Sequence, residues 1–109
     1  MNRVAAQYRS ALLDLMEDRS LNALVFPTFR HPPVLNGSNP SSERIGSNNA
    51  YASLTGFPAL SVPMGLVEPG LPMGLQFMGR PHSEERLLKI GFGYEQHTQH
   101  FQPPTFSKV

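Results

Sequence analysis

Two short apolar runs, on either side of a stretch rich in proline and glycine, constrain the fold of this chain more than any other feature. The runs are Ala59–Val62 and Leu75–Phe77, and the twelve residues between them include three prolines and three glycines. Such punctuation is typical of two neighbouring strands joined by a short loop. Because neither run contains a charged residue, we expect both strands to lie inside a sheet that is covered on at least one face, and not at a solvated edge.

A helix and a further strand are predicted before this pair. Apolar residues recur at spacings of three and four from Arg3 to Asp18, which indicates an amphipathic helix. Its apolar face contains Val4, Tyr8, Ala11, Leu12 and Leu15. The run Ala23–Phe26, stopped by Pro27, predicts a short buried strand. A helix, a short connection and a strand suggest an α/β layer in which the helix lies across the sheet.

A second long helix is predicted from Glu84 to about Thr98. Ser83 precedes Glu84 and Glu85, so a serine cap and two carboxylates would meet the positive end of the helix dipole. Gly91 and Gly93 would each cost about 1 kcal/mol relative to alanine in a helix interior, so we expect them to mark close packing against a neighbouring backbone. The buried side of this helix is expected to consist of Leu87, Leu88, Ile90, Phe92 and Tyr94.

The segment 27–49 has almost no apolar periodicity and is rich in proline, glycine, asparagine and serine. We expect it to be a long loop within a single domain that covers residues 1–109. Loops of this length in compact domains often carry function, although a surface excursion fits the sequence equally well. Asn48 or Asn49 would cap a short helix from Ala50 to Leu54 that Gly56 ends. The segment 101–109 is expected to be an extended tail.

Composition and charge exclude several classes of function. Nine basic and eight acidic residues give a net charge of +1, and no basic face is long enough to follow a phosphate backbone, so we expect no nucleic-acid partner. The chain has no cysteine, and therefore no disulfide framework, thiolate nucleophile or Cys-based zinc site. No apolar run approaches the roughly 18–20 residues of a membrane span. We expect a cytoplasmic protein without a membrane partner.

No pattern of residues predicts a catalytic or metal-binding set. A serine nucleophile needs a base and an oxyanion donor, but the loop serines occur in neither a G-x-S-x-G nor an S-x-x-K pattern, so turn or capping roles are predicted for them. His97 and His100 lie three residues apart without an evident third ligand, which favours solvated surface histidines over a metal site. We therefore predict no catalytic residue, no metal site and no cofactor.

The central stretch nevertheless resembles a known family. Thr55–Gly65, reading TGFPALSVPMG, and Gly70–Pro81, reading GLPMGLQFMGRP, are similar to the C-terminal part of amidase signature hydrolases. The upstream segment Asn22–Thr28 resembles the strand that leads to the family's substrate-side loop. Downstream, Ser83–Leu88 and Tyr94–Gln96 resemble its last helix. The order and spacing of these segments are specific, and the resemblance covers nearly the whole chain.

The resemblance implies an α/β fold, namely the C-terminal part of an amidase-like α/β/α sandwich with about three strands flanked by two main helices. It also implies that the family's Ser–cis-Ser–Lys triad lies in an N-terminal portion outside this sequence, because Ser41-Ser42 lacks the surrounding glycines. Family members line the acyl pocket partly with residues before the TGFPAL segment. Ser47, Asn48 and Asn49 are therefore expected to bind substrate, with helix capping as an equally good alternative.

Three functions remain open. The first is the structural and substrate-pocket portion of an amidase-family hydrolase that cleaves a small carboxylic amide and is inactive without the triad-bearing portion. The second is a non-catalytic remnant that acts as an oligomerising or interaction module. The third is an amidotransferase-like subunit serving charged tRNA, which the weak net charge does not support. A sheet cut from a larger one leaves an open edge and face, so the expected partner is the triad-bearing portion or a second copy.

Overall fold

A computed structural model describes residues 3–29, 48, 50–67 and 70–103. Within these ranges the chain forms three helices and three strands, namely α1 (Arg3–Asp18), β1 (Ala23–Pro27), α2 (Ala50–Thr55), β2 (Ala59–Val67), β3 (Leu71–Gly79) and α3 (Glu84–Thr98). The prediction of an α/β fold with three strands and two main helices is confirmed. Most of the predicted loop 27–49 and residues 104–109 of the predicted tail lie outside the described residues. No described helix has both the length and the apolar character needed to cross a bilayer.

The three strands form one antiparallel sheet in the order β1-β3-β2. β3 pairs with β1 from Ala23↔Gly79 onward and with β2 from Ala59↔Met78 onward. The predicted strand pair is confirmed, and both strands extend further into the proline- and glycine-rich stretch than the sequence indicated. The expectation of an interior position is wrong for β2, which is an edge strand of the described sheet. Pro63 fits an edge position because a proline has no amide N–H to donate.

Helix α3 covers one face of this sheet. Leu87 is buried against Phe77 and Val62, and the Phe77 and Tyr94 rings meet edge to face with their centroids 5.8 Å apart. A Cβ atom at Gly91 would collide with Cδ2 of Leu60, so this glycine is closely packed, but against a side chain and not against the neighbouring backbone that was predicted. A Cβ at Gly93 would have nothing within 4 Å, and the same prediction is wrong there.

Two predicted core residues of α3 are exposed. Leu88 is 61% exposed and Phe92 is 64% exposed, and both line an open groove between α3 and β2. Each of them follows a buried residue, Leu87 or Gly91, by one position. They therefore lie on the neighbouring side of the helix, which extends beyond the edge of the described sheet. Ser83 occupies the N-cap position but makes no side-chain cap, because its Oγ donates to the carbonyl of Arg80 at 2.6 Å.

Helix α1 has the predicted bounds but buries a different face. Val4, Tyr8 and Leu15 are exposed, whereas the buried residues of the helix are Ala5 and Met16. The difference arises at Arg9, whose Nη1 donates to the carbonyl of Thr55 at 2.6 Å and whose guanidinium lies 5.2 Å from the centre of the Phe57 ring. Because of these contacts α1 packs against α2, and it does not lie across the sheet as predicted. The apolar side of α1 that contains Val4, Tyr8 and Leu15 remains exposed.

Arg80 ties the end of β3 to the end of α1. Its Nε donates to the carbonyl of Leu21 at 2.9 Å, and its Nη2 donates to the carbonyl of Met16 at 3.0 Å. Carbonyl groups at a helix C-terminus lack partners within the helix, and the Met16 carbonyl accepts both from the N–H of Leu21 at 2.7 Å and from this guanidinium. The sheet and α1 are therefore held together by polar contacts at this end.

The two glycines of α3 provide a matched test of its packing. We expect Gly91→Ala to have a free energy of unfolding about 1 kcal/mol below that of Gly93→Ala, at the low end of the cost of overpacking, because the Leu60 methyl group in the way ends a side chain that can turn partly aside. Both variants gain a similar helix propensity, so their difference isolates the collision with Leu60. Urea unfolding followed by far-ultraviolet circular dichroism measures it. Equal midpoints for the two variants would contradict the packing of α3 on β2.

Candidate functional site

The face of the sheet opposite α3 carries polar groups where β1 ends. Side chains alternate along β3, so Gly74 and Gln76 share one face while Phe77 lies on the face that α3 covers. Thr28 follows the last residue of β1, and its N–H donates to the carbonyl of Gly74 at 2.9 Å. Ser61 of β2 pairs in register with Gln76. We refer to Thr28, Asn48, Ser61 and Gly74 together as the corner cluster.

A missing side chain allows the two hydroxyl groups of the corner cluster to meet. Thr28 Oγ1 and Ser61 Oγ are hydrogen-bonded at 2.5 Å, although β3 runs between their strands. A Cβ atom at Gly74 would lie 2.9 Å from Ser61 Oγ and 3.1 Å from Thr28 Oγ1. Both separations are shorter than ordinary van der Waals contact, so any larger residue at this position would push the hydroxyls apart. The absence of a side chain at Gly74 therefore leaves room for the hydrogen bond that joins the end of β1 to β2.

Asn48 is attached to the same corner by two hydrogen bonds. Its backbone N–H donates to the carbonyl of Thr28 at 2.9 Å, and its side-chain Nδ2 donates to the carbonyl of Pro27 at 2.7 Å. Sequence reasoning assigned this residue to the substrate pocket or to a helix cap, and the structure adds a tie to the end of β1. Ser47 and Asn49, the other two predicted substrate-binding residues, lie outside the described residues.

Gln76 lies beside the corner cluster and is buried, with 3% of its surface exposed. Its Oε1 has no hydrogen-bond partner within the described part of the chain. Most buried acceptors in folded proteins have a partner, and an unpaired one costs about 1–3 kcal/mol. The polar groups of this face are therefore not all paired by the described residues.

The corner cluster can hold and orient chain segments through hydroxyl, amide and backbone groups. Across the described ranges, no group of three or more histidine, cysteine, aspartate or glutamate residues could hold a metal ion. The hydrogen bonds of the corner cluster join hydroxyl, amide and backbone groups, all of which are neutral. Such groups fix positions and orientations, and general acid–base chemistry would require a titratable partner in addition.

Sequence reasoning missed the roles of Thr28, Ser61 and Gly74. The one available signal was a glycine inside an apolar strand, which indicates a bulge or a close approach of another group. The hydroxyl pair itself has no signature, because Thr28 and Ser61 are separated by 33 positions and meet only across the middle strand. Strand order is what brings them together.

Known proteins share both sequence and fold with this chain. A glutamyl-tRNA(Gln) amidotransferase subunit of Marinomonas sp. (strain MWYL1) is 49% identical over 57 residues, which are 51% of this chain and 12% of that protein. A solved structure of peptide amidase from Stenotrophomonas maltophilia matches with a TM-score of 0.75 and 33% identity, covering 97% of this chain and 22% of that chain. The solved glutamyl-tRNA(Gln) amidotransferase subunit of Thermotoga maritima matches with a TM-score of 0.81 over 92% of this chain and 22% of that chain, and its 22% identity shows likeness of fold alone.

The chain therefore spans less than a quarter of the length of these relatives. The match to the family model named Amidase runs over residues 1–88, which is most of the chain. It includes β1, the TGFPALSVPMG segment and β3, the segments in which the sequence resembled amidase signature hydrolases. By this match, the chain belongs to the Amidase family.

Proposed function

We propose that the chain is the C-terminal structural and substrate-pocket portion of an amidase-family hydrolase that cleaves a small carboxylic amide. The observation that carries this proposal is the family match over residues 1–88, together with a fold likeness that takes in 97% of this chain but 22% of the Stenotrophomonas peptide amidase. In this proposal the catalytic Ser–cis-Ser–Lys triad comes from a triad-bearing N-terminal portion, and these 109 residues alone do not hydrolyse amides.

Uncovered apolar side chains support a role as one part of a larger protein. Leu88 and Phe92 project beside the groove between α3 and β2, and Val4 and Tyr8 are exposed on α1. Exposed apolar residues that cluster on one surface usually mark a contact with another protein element. We propose that the triad-bearing portion covers these stripes, and that self-association covers them where that portion is absent.

The backbone of β2 supports the same proposal. The N–H of Gly79 donates to the carbonyl of Pro58 at 2.9 Å, so the alternation of antiparallel pairing directs the backbone groups of Leu60 toward β3. The N–H and C=O groups of Ala59 and Ser61 then point away from β3. An edge of this kind accepts a further strand, and we propose that the triad-bearing portion supplies it.

We further propose that Ser47, Asn48 and Asn49 contribute to the acyl pocket. Support comes from Asn48, which is hydrogen-bonded to the backbone at the end of β1. The family resemblance assigned the pocket to this part of the sequence.

A cytoplasmic location remains part of the proposal and is consistent with the absence of cysteine.

A second candidate is an amidotransferase-like subunit. It is favoured by the 49% identity to the Marinomonas amidotransferase protein, although this extends over only 51% of the chain. A protein named as a subunit works within an assembly, so this candidate predicts that activity needs further subunits besides the triad-bearing portion. The leading proposal predicts activity once the triad-bearing portion alone is supplied.

A hybrid enzyme tests the leading proposal. Residues 1–109 would replace the matching 22% of the Stenotrophomonas maltophilia peptide amidase, so that the rest of that enzyme supplies the triad-bearing portion. We expect the hybrid to release ammonia from members of a panel of aliphatic, aryl and peptide amides, and the 109-residue chain to release none above buffer. The physical reason is that the described residues orient chain segments but contain no nucleophile and base in contact.

The control is the same enzyme lacking the matching segment, which we expect to be inactive because its sheet would be incomplete. Hydrolysis by the 109-residue chain alone would contradict the absence of a catalytic set. A folded hybrid that hydrolyses no amide in the panel would contradict the assignment of this chain to an amide hydrolase.

A further inference from the structure

We infer that Gln76 is a contact residue for the proposed triad-bearing portion, which brings a neutral amide group to the unpaired Oε1 atom of this side chain. The inference rests on the proposed function, because it concerns how this chain meets the triad-bearing portion named there. It goes beyond that proposal by assigning the contact to one atom and by stating the chemistry of the group that meets it.

Gln76 is a buried polar residue whose acceptor has no donor. Only 3% of its surface is exposed, and Oε1 accepts no hydrogen bond from the described part of the chain. A buried acceptor without a donor weakens folding, whereas an apolar side chain of the same shape can be neutral or stabilising. In the isolated chain, Gln76 is therefore expected to be less stabilising than methionine, which has a similar length. A donor supplied by another part of the enzyme would reverse that order.

The β2 side of this sheet face is the side from which a donor approaches. Residues directly opposite one another in paired strands lie on the same face, so Phe26 of β1 and Ser61 of β2 flank Gln76. The rings of Phe26 and Tyr51 meet edge to face with their centroids 6.1 Å apart, so α2 lies over the β1 side. Ser61, by contrast, is exposed. A donor therefore reaches Gln76 from over β2, whose outer edge has no partner strand within the described sheet.

Ser61 places a hydrogen-bond donor next to this acceptor. Thr28 Oγ1 and Ser61 Oγ carry two protons, and the hydrogen bond between them uses one. The other proton would need an acceptor if it were buried, and Thr28 is buried whereas Ser61 is exposed. The arrangement with Thr28 as donor is therefore favoured, and it leaves the second proton on Ser61. The two neighbouring strands thus present one O–H donor and one carbonyl acceptor.

An amide group matches this donor and acceptor. Its N–H donates to Gln76 and its C=O accepts from Ser61, since directly opposite residues have Cβ atoms about 4.5–5.5 Å apart. A hydroxyl group would have to make both bonds through one oxygen. A lysine or arginine would bury its charge among neutral groups without a counter-charge. The partner is therefore a backbone peptide group, or an asparagine or glutamine side chain, of the triad-bearing portion.

The substitution Gln76→Met, made in two proteins, tests the contact. In the 109-residue chain we expect it to leave the melting temperature unchanged or to raise it, because it removes an unpaired buried acceptor. In the hybrid enzyme we expect it to lower the melting temperature by about 2 °C, because a donor of the triad-bearing portion then loses its acceptor. Thermal unfolding followed by circular dichroism at one scan rate measures both.

Gln96→Met is the matched control, because it makes the same chemical change at an exposed position of α3. Surface substitutions have small effects on stability, so the melting temperature of the hybrid should be unchanged. A fall equal to that of Gln76→Met would show that the loss is not specific to the buried position, and would overturn the inference.

The two melting temperatures separate the remaining outcomes. A lower value in both proteins means that Oε1 already has a partner in the isolated chain, such as a buried water molecule, and overturns the inference. An unchanged or higher value in both means that no donor reaches Gln76, and overturns it too. A Gln76→Met hybrid that fails to fold, beside a folded 109-residue variant, is a larger loss in the expected direction and supports the contact.

Failure of the proposed function is distinguishable from failure of the contact. A folded hybrid that hydrolyses no amide overturns the proposed hydrolase activity, whereas its melting temperatures still report whether Gln76 meets a donor. An unsubstituted hybrid that does not fold contradicts the packing of this chain with the triad-bearing portion, and the contact with it.

Discussion

The structure depends on the middle strand β3, which is hydrogen-bonded on both edges and contacted on both faces. Alternate residues bond to opposite neighbours: Gly74 accepts from Thr28, which follows β1, whereas Gly79 donates to Pro58, which precedes β2. On one face Phe77 packs against Leu87 of α3, and on the other the absence of a side chain at Gly74 lets the hydroxyl groups of Thr28 and Ser61 meet. The helix, the sheet and the corner cluster thus meet on one strand of nine residues.

Each of the two long helices buries only part of its apolar surface. In α3 the stripe that contains Leu87 is buried, and the adjacent stripe with Leu88 and Phe92 is not. In α1 the contact of Arg9 with Thr55 buries one stripe and exposes the one containing Tyr8. A helix with two apolar stripes normally lies between two neighbours. Together with the open edge of β2 and the family match, this is why we propose that a triad-bearing portion packs here.

Much of this fold was predictable because it follows local patterns. The bounds of α1 and β1, the strand pair and α3 followed from periodicity and from proline and glycine punctuation. The errors concern which apolar residues are covered: Leu88 and Phe92 satisfy the helical pattern, but a pattern cannot say which neighbour lies opposite each stripe. The corner cluster was not predictable, because Thr28 and Ser61 meet only through the strand order β1-β3-β2. Asn48 was named from the resemblance, and its tie to β1 required the structure.

Light scattering coupled to gel filtration tests most directly whether these uncovered surfaces are contact surfaces. At tens of micromolar the 109-residue chain is predicted to elute at twice its monomer mass or more, because the groove beside β2 would be covered by another copy. The double variant Leu88→Gln, Phe92→Gln should shift it toward the monomer, since both side chains are exposed and their replacement costs the core little. A stable, well-dispersed monomer of the unsubstituted chain would contradict the account.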